Sequence, residues 1–123
     1  MATDAEKIVN DFCQAFERRN LEEIMTYFAD DAVYHNMPME PAKGKDAIRK
    51  TINTFLPMAT SIEFKILRSV AAGNVVCNER VDMFNLGGKR VELPVAGVFE
   101  VRNGKISLWR DYFDLQSWTK QVS

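Results

Sequence analysis

Little in this sequence suits chemistry that depends on a metal, a disulfide or a polyanion. Among its 123 residues there are only 2 cysteines and 1 histidine. Cys13 and Cys77 match no metal-ligand spacing, and two thiols make no disulfide framework, so both are expected as reduced thiols in the core. Neither sign of charge dominates: 16 Lys and Arg stand against 17 Asp and Glu, spread along the chain with a net charge of −1. That balance leaves no basic face for nucleic acid or anionic lipid. No apolar run approaches the ~20 residues of a membrane helix. The opening Met1–Glu6 lacks the basic start and apolar stretch of a signal peptide. A cytoplasmic protein with no membrane or nucleic-acid partner is therefore expected. Repeats, low-complexity tracts and linkers are missing as well. Residues 1–123 are expected to form one domain, large enough to bury roughly two-thirds of its unfolded surface.

What is present falls into two halves. Ile8, Val9, Phe12, Cys13 and Phe16 recur at helical spacing, with Thr3 or Asp4 available as the cap. A second, short helix is expected from Asn20 through Leu21, Ile24, Met25 and Phe28, stopped by Asp30-Asp31. Ala32 to Met37 reads as a strand that Pro38 terminates. Lys45 to Phe55 reads as a third helix with Ala47, Ile48, Thr51, Ile52 and Phe55 inward. The second half alternates as strands do, over Ile62–Val70, Val75–Phe84, Val91–Val101 and Ile106–Leu115. Leu86-Gly87-Gly88-Lys89 is a hairpin signal, and Arg102-Asn103-Gly104-Lys105 a second turn. Three helices followed by a meander of long antiparallel strands argue for an α+β fold, the sheet curling over the helices.

Two of these strands carry ionic groups where Val, Ile or Leu would be ordinary. Period-two alternation puts Asn78, Arg80, Asp82 and Phe84 on one face of their strand. It likewise groups Trp109, Asp111, Phe113 and Leu115, opposite Arg110, Tyr112 and Asp114, and pairs Tyr34 with Asn36. An unpaired buried charge costs several kcal/mol or more. Two acids and an arginine on inward faces of one small domain would neutralise each other within a pocket, which suits acid–base chemistry. Read from strand pattern alone, Arg80 and Asp82 are equally compatible with an exposed ion pair of little energetic worth.

The motifs Tyr34-His35-Asn36-Met37-Pro38, Glu79-Arg80-Val81-Asp82, Gly97-Val98-Phe99 and Trp109-Arg110-Asp111-Tyr112-Phe113-Asp114 follow one another across nearly the whole chain. In order and spacing they closely resemble the limonene-1,2-epoxide hydrolase family. The resemblance implies the cone-shaped α+β barrel of the nuclear-transport-factor-2-like superfamily, with about three N-terminal helices over its concave face, usually as a homodimer. It implies that Asp111 is the general base for water, Asp82 the general acid for the epoxide oxygen, and Arg80 their bridge. Tyr34 and Asn36 match the groups that hold the water with Asp111. Phe55, Phe84, Leu93, Val95, Phe113 and Trp118 fall where the family lines an apolar substrate pocket. His35 stands where the family pattern has glutamine. Alternation turns it away from the pocket, so it is expected to be structural or solvated, and Arg110 and Asp114 to be surface or dimer-contact groups.

The implied reaction explains the residue types. An epoxide's alkoxide is a poor leaving group and needs a proton, while water is a poor nucleophile and needs a base. A small hydrophobic epoxide, cyclic, terpene-like or aryl, would yield a vicinal diol with no cofactor, metal or covalent intermediate. Two other functions fit the same fold class. A ketosteroid-isomerase or polyketide-cyclase type of enzyme moves a proton beside a carbonyl, which gives a bridging arginine no task. A non-catalytic binding dimer keeps the apolar pocket but has no use for buried ions whose desolvation is costly.

Overall fold

The computed structural model describes residues 4–123. Helix α1 spans Asp4–Arg18 and buries Val9, Phe12, Cys13 and Phe16, the stripe that the spacing predicts. Of its two candidate caps, Thr3 lies outside the described residues. Asn20 then caps α2, Leu21–Met25, its side chain accepting the Glu23 N–H at 3.2 Å. The predicted continuation of α2 to Phe28 is not seen. The chain is already strand β1 over Phe28–Asn36, and Asp30 and Asp31 are exposed strand residues rather than a helix stop. Phe28 pairs opposite Ile106 of the last strand, and this tertiary pairing overrides a helical spacing only two turns long.

After β1 come β2, Ala42–Lys43, then α3, Lys45–Phe55, and a 3₁₀ turn at Leu56–Met58. Four strands follow: β3 Ala59–Ala72, β4 Val75–Leu86, β5 Lys89–Arg102 and β6 Lys105–Tyr112. Gly87 and Gly88 form the β4–β5 turn with φ of 58° and 84°. Positive φ at both turn positions suits the right-handed twist of the flanking strands. The last predicted strand, to Leu115, ends early at Tyr112. Asp114 accepts the Gln116 N–H at 3.1 Å and caps a helix the alternation did not reveal, α4, Leu115–Val122.

The strands form one sheet in the order β2-β1-β6-β5-β4-β3, with β1 parallel to β6 and every other pair antiparallel. This is the expected mixed, curved sheet with helices from the N-terminal half, but it does not close as a barrel. The two-residue β2 and the long β3 are its edges. Helix α1 packs against β3, β4 and β5, and α3 against β1.

Between helices and sheet Phe12 meets Phe16, Phe28 and Trp109 edge-on, with centroids 5.2, 5.3 and 4.9 Å away. Each fully buried aromatic of this kind stabilises by about 1.5–3 kcal/mol. Cys13 lies in this core. Cys77, expected there too, is half-buried on the outer face of β4, because it falls on the opposite parity from Val76 and Asn78. Both thiols are free. Among the described residues no helix is long and apolar enough to cross a membrane.

Candidate active site

Alternation turns Asn78, Arg80, Asp82 and Phe84 of β4 toward the helices, and all four are buried. On β6 it does the same for Trp109 and Asp111, leaving Arg110 and Tyr112 exposed. Register then brings separate strands into line. One rung runs Asn36–Asp111–Gly97–Asn78 across β1, β6, β5 and β4. The next runs Tyr34–Trp109–Phe99–Val76, with the Tyr34 and Trp109 rings stacked at 4.0 Å.

Arg80 is the hub. Its side chain has no exposure, and those of Asp82 and Asp111 have 6% and 5%, so water cannot screen the set. Nε and Nη2 donate to the two oxygens of Asp82, both at 2.9 Å. Nη2 also donates to Asp111 Oδ2 at 2.8 Å, so one nitrogen serves both acids. Nη1 donates to Asn78 Oδ1 at 2.9 Å. The guanidinium lies 5.0 Å from the Phe64 ring centroid, a face that favours a cation. Trp109 Nε1 donates to the other Asp111 oxygen at 2.7 Å.

With one cation between two carboxyls, the set carries a net negative charge unless one acid keeps its proton. Burial, reinforced by the negative charge of Asp111, pushes the Asp82 carboxyl up to about 6, against the hydrogen bond and charge of Arg80. Burial also works against the charge on Arg80. There the Asp111 charge and the Asp82 hydrogen bond outweigh it and hold the guanidinium well above its usual range. Burial, with Asp111 adding to it, raises the Tyr34 phenol, which stays a proton donor. Its O–H donates to Asn36 Oδ1 at 3.1 Å.

These groups open onto a cavity of about 290 Å³, at the small end of the roughly 300–1,000 Å³ that ligand pockets span. Tyr34, Asn36, Asp82 and Asp111 line it, with Arg80 buried behind the two acids. Every residue expected in the apolar wall lines it too: Phe55, Phe84, Leu93, Val95, Phe113 and Trp118. Phe16, Phe64, Ile52, Thr51 and Met39 complete the wall and were not anticipated. Trp118 reaches it from α4, 5.9 Å from the Phe84 ring and 6.2 Å from that of Phe55. His35 is not among the lining residues. Its Nε2 meets Met39 O at 2.8 Å and so ties down the loop that carries Met39 to the cavity. Asp114, expected at the surface, caps α4 there.

Three uncharged residues complete the surroundings of this set. Asn78 and Trp109 were seen to share faces with the acids, but neither is ionic and nothing marked them as hydrogen-bond partners. Gly97 matters through the side chain it does not have. A Cβ there would sit 2.4 Å from Arg80 Nη1, 2.8 Å from Asn78 Oδ1 and 3.0 Å from Asp111 Oδ1.

Residues 3–123 match the family model of the limonene-1,2-epoxide hydrolase catalytic domain. Epoxide hydrolase EphG of Mycobacterium tuberculosis is 36% identical over 114 residues, which cover 91% of this chain and 74% of that protein. The solved structure of an M. tuberculosis LEH-like epoxide hydrolase is similar at a TM-score of 0.80 and 35% identity, over 97% of this chain and 89% of that one. A putative polyketide cyclase from Xanthomonas campestris pv. campestris superposes at a TM-score of 0.87 over 98% of this chain and 97% of its own. Its identity is only 22%, so that likeness shows the fold alone.

Proposed function

The chain belongs to the limonene-1,2-epoxide hydrolase family and is an epoxide hydrolase; on that premise we propose that water opens a small hydrophobic epoxide to a vicinal diol in one step. The substrate class is a cyclic, terpene-like or aryl epoxide, in keeping with a small cavity walled mainly by aromatic and aliphatic side chains. The observation that carries the mechanism is the pair of buried carboxyls sharing one arginine nitrogen at the edge of that cavity.

In this reading Asp111 is the base. Both its oxygens already accept a hydrogen bond, yet a carboxylate has further lone pairs, and one of them takes a proton from water. Tyr34 and Asn36 hold that water. The phenol O–H is committed to Asn36 Oδ1, which leaves the phenol lone pairs and the Asn36 amide hydrogens for the water. The water oxygen forms its bond to an epoxide carbon as the C–O bond there breaks. The departing oxygen takes the proton from Asp82, the acid that burial keeps protonated to higher pH. Asp111 ends protonated and Asp82 ionised. Return of one proton through the shared set or through solvent restores the start, and the net reaction is epoxide plus water to diol. Apolar walls exclude bulk water and hold the ring near the activated one. A proton shuttle beside a carbonyl would leave Arg80 without a role.

The test is diol formation from a panel of cyclic, terpene and aryl epoxides, with folded protein that opens none of them as the contrary result. Its pH dependence is specified too. Asp82 must carry its proton, so kcat/KM falls on the alkaline side with an apparent pKa near 6, a value belonging to the coupled set. Stability follows the same sign. A carboxyl raised in the folded state contributes stability that is complete below its ordinary 3.8 and lost as pH rises through about 6. A kcat/KM that rises through this window would reverse the assignment of the acid.

We also infer a homodimer formed through the outer sheet face, where Val81, Met83, Pro94, Val98, Leu108 and the 44%-exposed Tyr112 share one side of β4, β5 and β6. Light scattering should give twice the chain mass, and a monomer at micromolar concentration would contradict it.

A further inference from the structure

We propose that Asn78 is a positioning residue for the reaction: it engages the end of Arg80 that faces away from the acids and thereby keeps one guanidinium nitrogen shared between Asp82 and Asp111. The inference rests on the reading of those three residues as the reacting set.

The guanidinium is a rigid fork with five N–H donors and no acceptor. Nε and Nη2 are used on the carboxyls, which leaves Nη1 pointing past the bare Gly97 backbone toward β4's own Asn78. Asn78 Oδ1 receives it at 2.9 Å, in a site where Asn78 is 4% exposed and bulk water is no substitute. The orientation of the amide follows from chemistry. Arg80 can only donate, so the oxygen faces Nη1 and the NH2 turns to the Cys13 sulfur on α1, 3.9 Å away. Burial pushes the Cys13 thiol up to about 12, so this far anchor stays neutral.

Few other groups could take over. Arg80 and Asp82 come from β4, Asp111 from β6, Tyr34 from β1 and Cys13 from α1. From β3 and β5 the neighbours are Phe64, Val95 and Gly97, which carry no side-chain acceptor. Without Asn78, Nη1 would be a buried charged donor with no partner, an expensive state. Rotation of the fork toward Asp111 or Asp82 relieves it and gives up the shared Nη2. Asn78 therefore acts on the reaction through Arg80, without touching substrate.

Two variants separate this from a packing role. Asn78→Leu removes the acceptor at similar volume. Its kcat is expected to fall about tenfold or more while KM changes by less than about threefold, since binding surface is untouched and only the alignment of the acids is lost. Asn78→Asp keeps an oxygen on Nη1 and adds a negative charge. The set then holds its proton more tightly, and the alkaline limb of kcat/KM moves up by about half a unit or more. That shift follows from the added charge whatever Asn78 does, so the deciding readout is the rate: with the acceptor kept, kcat of Asn78→Asp on the acid side stays within about threefold of wild type. A role in packing alone would lower the unfolding temperature of both variants and leave kcat of the folded Asn78→Leu where it was. Folded Asn78→Leu with kcat within twofold of wild type, or Asn78→Asp no faster than Asn78→Leu, overturns the proposal. If Asn78→Leu does not fold, Asn78→Ala takes its place. Should the wild type open no epoxide, the guanidinium N–H resonances of Arg80 in wild type and Asn78→Leu still decide. Merging of the Nη1 and Nη2 signals in the variant supports the positioning role, and separate signals unchanged from wild type refute it.

Discussion

Asp111→Asn is expected to lower diol formation by about 10³–10⁴-fold, the upper range for loss of one acid–base group. The size follows from two losses at once. An amide cannot take the proton from water, so the base is gone. The negative charge of Asp111 also helps to raise the Asp82 carboxyl, and its removal leaves Arg80 and Asp82 as a simple pair in which Asp82 ionises more readily. The protonated form of Asp82 is thus depleted at the same time as the base is lost. Geometry adds to the effect. Asp111 accepts from Trp109 Nε1 on one oxygen and from Arg80 Nη2 on the other, so an amide nitrogen at either place sets donor against donor. The Arg80–Asp82 bonds do not depend on residue 111, and the variant should keep its fold by circular dichroism. Steady-state kinetics on any epoxide that the wild type opens provide the measurement. A folded variant within tenfold of wild type would remove Asp111 from its assigned role.

Gly97→Ala should act nearly as strongly through one methyl group. The glycine has no positive φ, so an alanine is not strained there by its own backbone. In a strand the exchange would otherwise gain about 0.5–1 kcal/mol. Here the added carbon would stand 2.4 Å from Arg80 Nη1, inside any allowed contact. Nη1 is the end of a side chain, but four hydrogen bonds hold the guanidinium and Asn78 lies in the way of retreat. Arg80 must move by about an ångström, and a misplacement of that size costs about 10²-fold in rate. Overpacking of this kind destabilises by about 1–3 kcal/mol. The expected result is a folded protein with a lower unfolding temperature and kcat down by about 10²-fold or more. Near-normal kcat in Gly97→Ala would mean that the alignment of Arg80 is not critical.

The ionic set was legible because side-chain parity is written within each strand. Arg80 and Asp82 two apart, and Asp111 two after Trp109, could only share faces, and the family likeness supplied their roles. Register is not written within a strand. That Gly97 falls between Asp111 and Asn78 follows from the pairing of β4, β5 and β6, so the shared rung and the need for glycine were invisible beforehand. The missed elements have comparable causes. Phe28 continues the spacing of Leu21, Ile24 and Met25, and only its partner Ile106 makes it a strand residue. Helix α4 has only eight residues. Its first apolar residue, Leu115, continues the alternation of β6, which masks the helical spacing of Leu115, Trp118 and Val122, while β2 has two residues and no pattern at all. The sheet's open edges are likewise a property of pairing rather than of any one segment.

In the proposed mechanism Asp111 activates water and does not itself attack the epoxide. A single turnover in ¹⁸O-labelled water, with enzyme in excess over substrate, separates these two routes. Direct attack places solvent oxygen in the diol formed in the first turnover. A diol with both oxygens unlabelled in that turnover, with label appearing only later, would mean an ester on a carboxylate and would refute the role of Asp111 as the base.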